Sequence, residues 1–129
     1  MADDKSGALA EVTTTSASWV AAFCAGDVDT CASLYREDAL MVAQPFGSFE
    51  GRKAIDEFWR KLVADGARDL KYANTKMEAL DGGNVLLSAD WTMNIGGGVI
   101  TKEHWEKQAD GKWLLKEDHF EVRDQASSE

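Results

Sequence analysis

Three glycine-bearing breaks, Asp81-Gly82-Gly83, Gly96-Gly97-Gly98 and Asp110-Gly111, cut the second half of the chain into lengths that suit strands. The segments are about 69–80, 84–95, 99–108 and 112–122. Strands joined by such short turns must double back on one another, which predicts an antiparallel meander. Both Asp-Gly pairs fit tight hairpins, because the turn backbone has to visit positive φ. In 84–95 the odd residues Val85, Leu87, Ala89, Trp91, Met93 and Ile95 are apolar, while Ser88, Asp90, Thr92 and Asn94 are polar. That alternation gives the strand one dry face. The last strand breaks its own rhythm: Trp113 and Leu115 are odd, Phe120 and Val122 even. A bulge near Glu117 or Asp118 would switch the parity. The direction of His119 stays open.

The first half reads as helices. Leu9, Val12, Trp19, Val20 and Phe23 fall on one stripe of a helix over about residues 8–25. Gly26 can stop it, and Asp27 can cap a second short helix through Leu34 and Tyr35. After Gly51, a third helix carries Ala54, Ile55, Phe58, Trp59, Leu62 and Val63 on one face and ends at Asp65-Gly66. Between the last two helices, LMVAQPFGSFEG reads as a short strand, a turn at Pro45 and Gly47, and a second short strand. Three helices ahead of a meander predict an α+β domain, with the helices packed on one face of a strongly curved antiparallel sheet. The domain is expected over 7–123, with 1–6 and 124–129 as polar, frayed ends.

Composition removes several classes of function. With 129 residues the chain suits one domain. Fourteen Lys and Arg against 23 Asp and Glu, a formal charge of -9, repel phosphate backbones and anionic lipid surfaces, so neither nucleic acid nor membrane is an expected partner. No apolar run approaches the roughly 20 residues of a membrane span, and the acidic start does not resemble a signal peptide. A cytoplasmic location is the expectation. Cys24 and Cys31 match neither a redox pair nor a zinc knuckle and read as buried free thiols. Two histidines, His104 and His119, cannot build a histidine-rich metal site, and no metal is expected. Gly96–Gly98 precede a strand instead of a helix, so there is no nucleotide fingerprint and no cofactor is expected.

The segments AGDVDTCASLYREDALMVAQPFG, EGRKAIDEFW and ADGKWLLKEDHF, in this order and spacing, resemble the SnoaL-like and DUF4440 branch of the NTF2-like superfamily. The resemblance covers about residues 7–123 and implies a cone of curved sheet closed by helices, often dimeric through the outer sheet face. Its members range from ketosteroid isomerases, cyclases and dehydratases to non-enzymatic association domains, so fold does not settle function. Ketosteroid isomerases use an Asp base and an oxyanion hole of Tyr and a protonated Asp. By the resemblance, the Tyr position falls on Trp19, and the base position on Gln44 or Ala43. Neither Gln44 nor Ala43 can take a proton near neutral pH. The third position falls near Glu103, which keeps a carboxyl group. Steroid isomerisation by that mechanism is therefore not expected.

The implied pocket has Trp19, Met41, Phe58, Leu62, Trp91, Met93 and Trp105 as its apolar lining, with Gln44 as a polar member. Glu103 and His119 are the candidate acid/base couple, provided both point inward. For each aromatic residue the plain alternative is ordinary core; for Glu103 it is an exposed strand carboxylate; for His119 it is a tie to a neighbouring strand. Two functions follow. One is a protein that binds a small apolar or aromatic molecule and acts on it as a cofactor-independent isomerase, cyclase or lyase by general acid/base chemistry. The other is a non-catalytic ligand-binding or association module of the same fold. A homodimer is expected, because the sheet face away from the helices, with Ile100, Leu86 and Leu114, needs cover.

Overall fold

The computed structural model describes residues 3–94 and 96–125. Helix α1 (Asp3–Cys24) and the six-residue α2 (Val28–Ser33) come first, followed by strands β1 (Tyr35–Gln44) and β2 (Gly47–Glu50). Helix α3 (Arg52–Ala64) then leads into β3 (Lys71–Leu80), β4 (Asn84–Met93), β5 (Gly96–Lys107) and β6 (Trp113–Gln125). Residues 1–2 and 126–129 of the expected frayed ends lie outside the described residues, as does Ile95.

Local chemistry explains the helix boundaries. Gly26 adopts φ 76°, a conformation that costs an L side chain energy, and α1 ends there. Asp27 caps α2, its carboxylate accepting from the Thr30 N–H (3.2 Å) and the Thr30 hydroxyl (2.7 Å). On α3, Ile55 and Trp59 are buried with Phe58, Leu62 and Val63 packed beside them, the stripe that the spacing predicts. No helix among the described residues is long and apolar enough to cross a membrane.

The α+β architecture is as expected, but the sheet is mixed. Its strand order is β2-β1-β6-β5-β4-β3, and β1 lies parallel to β6 while the other neighbours are antiparallel. Tyr35, expected at the end of a helix, instead opens a ten-residue β1. Leu34 already accepts a hydrogen bond from the Leu115 N–H (2.7 Å), so β6 draws this segment into the sheet right after α2. The three glycines at 96–98 are a second correction: they are not a turn but the start of β5, paired to both β4 and β6. There the strands crowd: a Cβ on Gly98 would sit 1.9 Å from the Glu121 carbonyl oxygen. Glycine serves close approach here, not chain reversal.

Two bulges decide which side chains face the helices. In β5, Thr101 is an extra residue relative to both neighbours: Ile100 pairs with Ala89 and Phe120, and Glu103 with Leu87 and Asp118. In β6, Lys116 is extra, since Leu115 pairs with Trp105 and Glu117 with His104. The expected parity switch is therefore present, one residue ahead of Glu117. Its consequence is that Leu115, Asp118 and Phe120 all point inward. Ile100, expected on the outer face, is buried on the inner one, while Leu86 and Leu114 are half-buried on the outside. The core joins inner-face residues such as Met41, Leu87 and Trp105 to Val12, Trp19, Phe23, Ile55 and Trp59 from the helices. Both cysteines are free, but just Cys31 is buried, its thiol pushed up to about 12 chiefly by desolvation; Cys24 is exposed.

Candidate functional site: a carboxyl pair in an aromatic cavity

Between the inner face of the sheet and the helices lies a cavity of about 230 Å³. Its walls are mostly aromatic. Trp59 stacks on Phe120 (5.6 Å between centroids) and meets Phe58 edge-on (5.0 Å), and Trp91 meets Phe120 edge-on (6.2 Å). Phe46, 53% exposed in the β1–β2 turn, also lines the cavity and packs on Phe58, which places it at the mouth.

Two carboxyl groups share this apolar space. Glu103 and Asp118 are direct cross-strand partners on β5 and β6, are 3% and 4% exposed, and both line the cavity. Tyr72 donates to Glu103 Oε2 (2.9 Å) and the Trp105 indole to Oε1 (2.9 Å). Tyr35 donates to Asp118 Oδ2 (2.7 Å), and the Trp59 indole donates to the Tyr35 oxygen (3.1 Å). Arg52, from the first turn of α3, grips the Tyr35 carbonyl through Nε at 2.9 Å and through Nη2. Each carboxyl thus has a phenol, and behind it an indole or a second donor, holding it in place.

Burial dominates the electrostatics. Desolvation, and then the nearby Asp118 charge, push the Glu103 carboxyl up to about 8, against the opposing bonds from Trp105 and Tyr72. Desolvation raises Asp118 to about 6, with the Tyr35 hydrogen bond holding it back. Both phenols are pushed well above their usual range, first by burial and then by the carboxylates, so they stay protonated and remain donors. Burial thus lifts both carboxyls, and two such groups side by side are set to share one proton near neutral pH.

Of the residues singled out from sequence, Trp19, Phe58, Leu62, Trp91, Met93 and Glu103 do line the cavity. Met41 is fully buried in the core away from it, and Trp105 is buried behind Glu103, where it acts through its indole donor. Gln44 is exposed at the end of β1, beyond reach of the cavity. His119 is a correction: the bulge at Lys116 turns it to the outer face, where its ring pairs with Glu117 (2.9 Å). The carboxyl that does face Glu103 is Asp118, with Tyr35 and Tyr72 as its polar company. A signal for it was present, because Phe120 and Val122 are even and inward, and the same count backwards reaches Asp118 and skips His119. Among the described residues no group of three or more His, Cys, Asp or Glu side chains is placed to hold a metal ion.

Comparison with known proteins points one way. The SnoaL-like domain model matches residues 17–125. An NTF2-like protein of unknown function from Pseudomonas putida KT2440 superposes with a TM-score of 0.82 at 16% identity, over 92% of this chain and 88% of that one. A putative scytalone dehydratase from Novosphingobium aromaticivorans gives 0.81 at 13% identity, over 95% and 89%. ActVI-ORFA from Streptomyces coelicolor gives 0.75 at 16%, over 90% and 97%. At such identities the likeness is one of fold. No curated protein matches the chain.

Proposed function

Because the chain belongs to the SnoaL-like domain family, which shares a scaffold and not one reaction, we propose that it binds a small apolar or aromatic molecule and moves a proton on it without a cofactor, as an isomerase, cyclase or lyase. The observation that carries this reading is the proton-sharing pair Glu103 and Asp118 opening on an aromatic cavity. Ionised Asp118 is the base: it removes a proton from a carbon next to a carbonyl. Protonated Glu103 is the electrophilic partner: it donates a hydrogen bond to the carbonyl oxygen as negative charge gathers there, and keeps its proton. The proton on Asp118 then returns to the same carbon, moves to another one, or goes to a departing hydroxyl group, and the pair ends as it began. Aromatic walls supply the binding and exclude the water that would weaken both groups. The protein of like fold named a putative scytalone dehydratase is consistent with the last of these outcomes.

The test uses 2-tetralone, a bicyclic ketone with an acidic C–H, in deuterium oxide. The wild-type protein should accelerate deuterium uptake next to the carbonyl, and Asp118→Asn should lose about 10²- to 10⁴-fold of that acceleration. The rate should climb as the pH rises through about 6, where Asp118 ionises, and fall through about 8, where Glu103 does. Tryptophan fluorescence follows binding of the ketone separately. A ketone that binds yet exchanges no faster than with Asp118→Asn overturns the catalytic reading and leaves a binding module.

A further inference from the structure

Glu103 and Asp118 differ in how their oxygens are satisfied. Tyr72 and Trp105 donate to separate oxygens of Glu103, and Tyr35 donates to Asp118 Oδ2. Asp118 Oδ1, by contrast, accepts from no donor among the described residues, yet it is not fully enclosed. It keeps accessible surface on a side chain that is 4% exposed and lines the cavity. A carboxylate oxygen offers lone pairs and no hydrogen, so what completes it is a donor brought by the occupant.

The kind of donor follows from charge. The cavity wall holds the two carboxyl groups and, among the described residues, no Lys, Arg or His. Tyr35 and Tyr72 reach the pair from β1 and β3 as neutral phenols, and the wall residues from α1, α3 and β4 are uncharged. His119 bears on Asp118 from the outer face of the sheet, outside the cavity. The negative charge of the pair is thus already stripped of water and has no countercharge on its own side. An ammonium group that enters gives up only its own hydration and relieves a penalty incurred in folding, whereas an anion adds like charge. Aromatic walls favour the cation too, because a ring face carries a negative potential that an aliphatic wall lacks. The formal charge of -9 draws cations toward the protein in the first place.

We infer that the cavity is also a receptor for a protonated ring amine, whose ammonium group donates to Asp118 Oδ1 while its rings lie among the aromatic walls. This rests on the reading that the cavity holds a small molecule and goes beyond the ketone chemistry. The amine takes the oxygen that acts as base, so it occupies the site without reacting and shuts off proton transfer.

Three compounds on one carbon skeleton test this by calorimetry near pH 7: 2-aminotetralin, protonated there as alkyl amines are, 2-tetralol, a neutral donor, and tetralin-2-carboxylate, an anion. The wild-type protein should bind the amine at least about tenfold more tightly than the alcohol, and the alcohol at least about tenfold more tightly than the carboxylate. Asp118→Asn should remove most of the preference for the amine while changing affinity for the alcohol by less than about threefold. Should that variant fail to fold, the wild-type protein decides by itself. A cation beside the pair favours its ionised form, so amine binding should release protons, read as a dependence of the binding heat on the ionisation heat of the buffer, and the alcohol should release none. An amine that binds no more tightly than the alcohol or the carboxylate, a preference kept in Asp118→Asn, or amine binding without proton release overturns the proposal. Deuterium exchange is a separate readout: the amine can fail to bind while 2-tetralone still exchanges through Asp118, and it can bind a protein that exchanges nothing.

Discussion

Glu117 and Asp118 are neighbours on β6, yet they end in opposite chemical states. Glu117 faces outward, where Lys102 (2.9 Å) and His119 donate to it and hold its carboxyl down at about 2. Asp118 faces inward, where desolvation lifts it to about 6 even though Tyr35 donates to it. The residues opposite follow suit. His104 sits across from Glu117 on the outer face, while Glu103 sits across from Asp118 and is lifted to about 8. Sequence position is almost identical for the two sets; solvent is what differs. The outer carboxylate is an ordinary ion with countercharges, and the inner pair is a reservoir for a single proton.

The contrast breaks first, and most visibly, in stability against pH. A carboxyl lifted on folding favours the protonated folded state. Its contribution is complete below the unfolded value, roughly 4 for Asp and Glu, and is lost as the pH rises through the folded value. The wild-type protein should therefore lose stability from about pH 4 to about pH 8, by several kcal/mol in order of magnitude. Chemical denaturation of the double variant Glu103→Gln/Asp118→Asn should show a nearly flat profile over the same range. A wild-type profile equally flat would mean that the pair is hydrated and the cavity wet.

A smaller effect is expected from Tyr35→Phe, which removes the donor from Asp118 and leaves the Trp59 indole unpaired. The cost to folding should be about 1 to 3 kcal/mol. The acid limb of the deuterium-exchange profile should move to higher pH, because the ionised form of Asp118 has lost a stabilising bond. A limb that stays in place would sever Tyr35 from the base.

The smallest change should come from the outer face. Glu117→Gln removes an ion pair whose partners are 38% and 26% exposed, and such pairs contribute little. Stability should shift by less than about 1 kcal/mol, with the exchange profile unaltered. A large loss would show that the outer cluster supports the pair behind it.

The difference between the two faces also explains what could be read in advance. The α3 stripe, the Asp81 and Asp110 turns and the dry face of β4 are local patterns, and each stands in the structure where its periodicity put it. The parallel pairing of β1 with β6 joins Tyr35 to Leu115, a contact that no local window contains, so local pattern alone leaves Tyr35 on the preceding helix. Gly96–Gly98 have the composition of a turn because glycine favours turns, whereas here it lets two backbones close on each other. In the site, six of the apolar and carboxyl residues followed from alternation and resemblance. Asp118 does not, because strict alternation fails wherever a bulge intervenes, and the pattern alone points to His119 beside it.

Thr101 and Lys116 suggest how such a scaffold changes occupation over generations. Facing in or out is a binary property of a strand position, and one inserted residue inverts it for everything downstream until the next irregularity. Gaining one codon after either bulge, its residue paired into the ladder, would trade Asp118 for His119, or Glu103 for Lys102, across the wall of the cavity with no side chain substituted, whereas losing the bulged residue itself would leave Leu115-Glu117-Asp118 and Ile100-Lys102-Glu103 alternating with the same faces inward. A lineage built on this fold can thus exchange a whole set of reactive groups in one mutational event, by sliding a strand past its own alphabet.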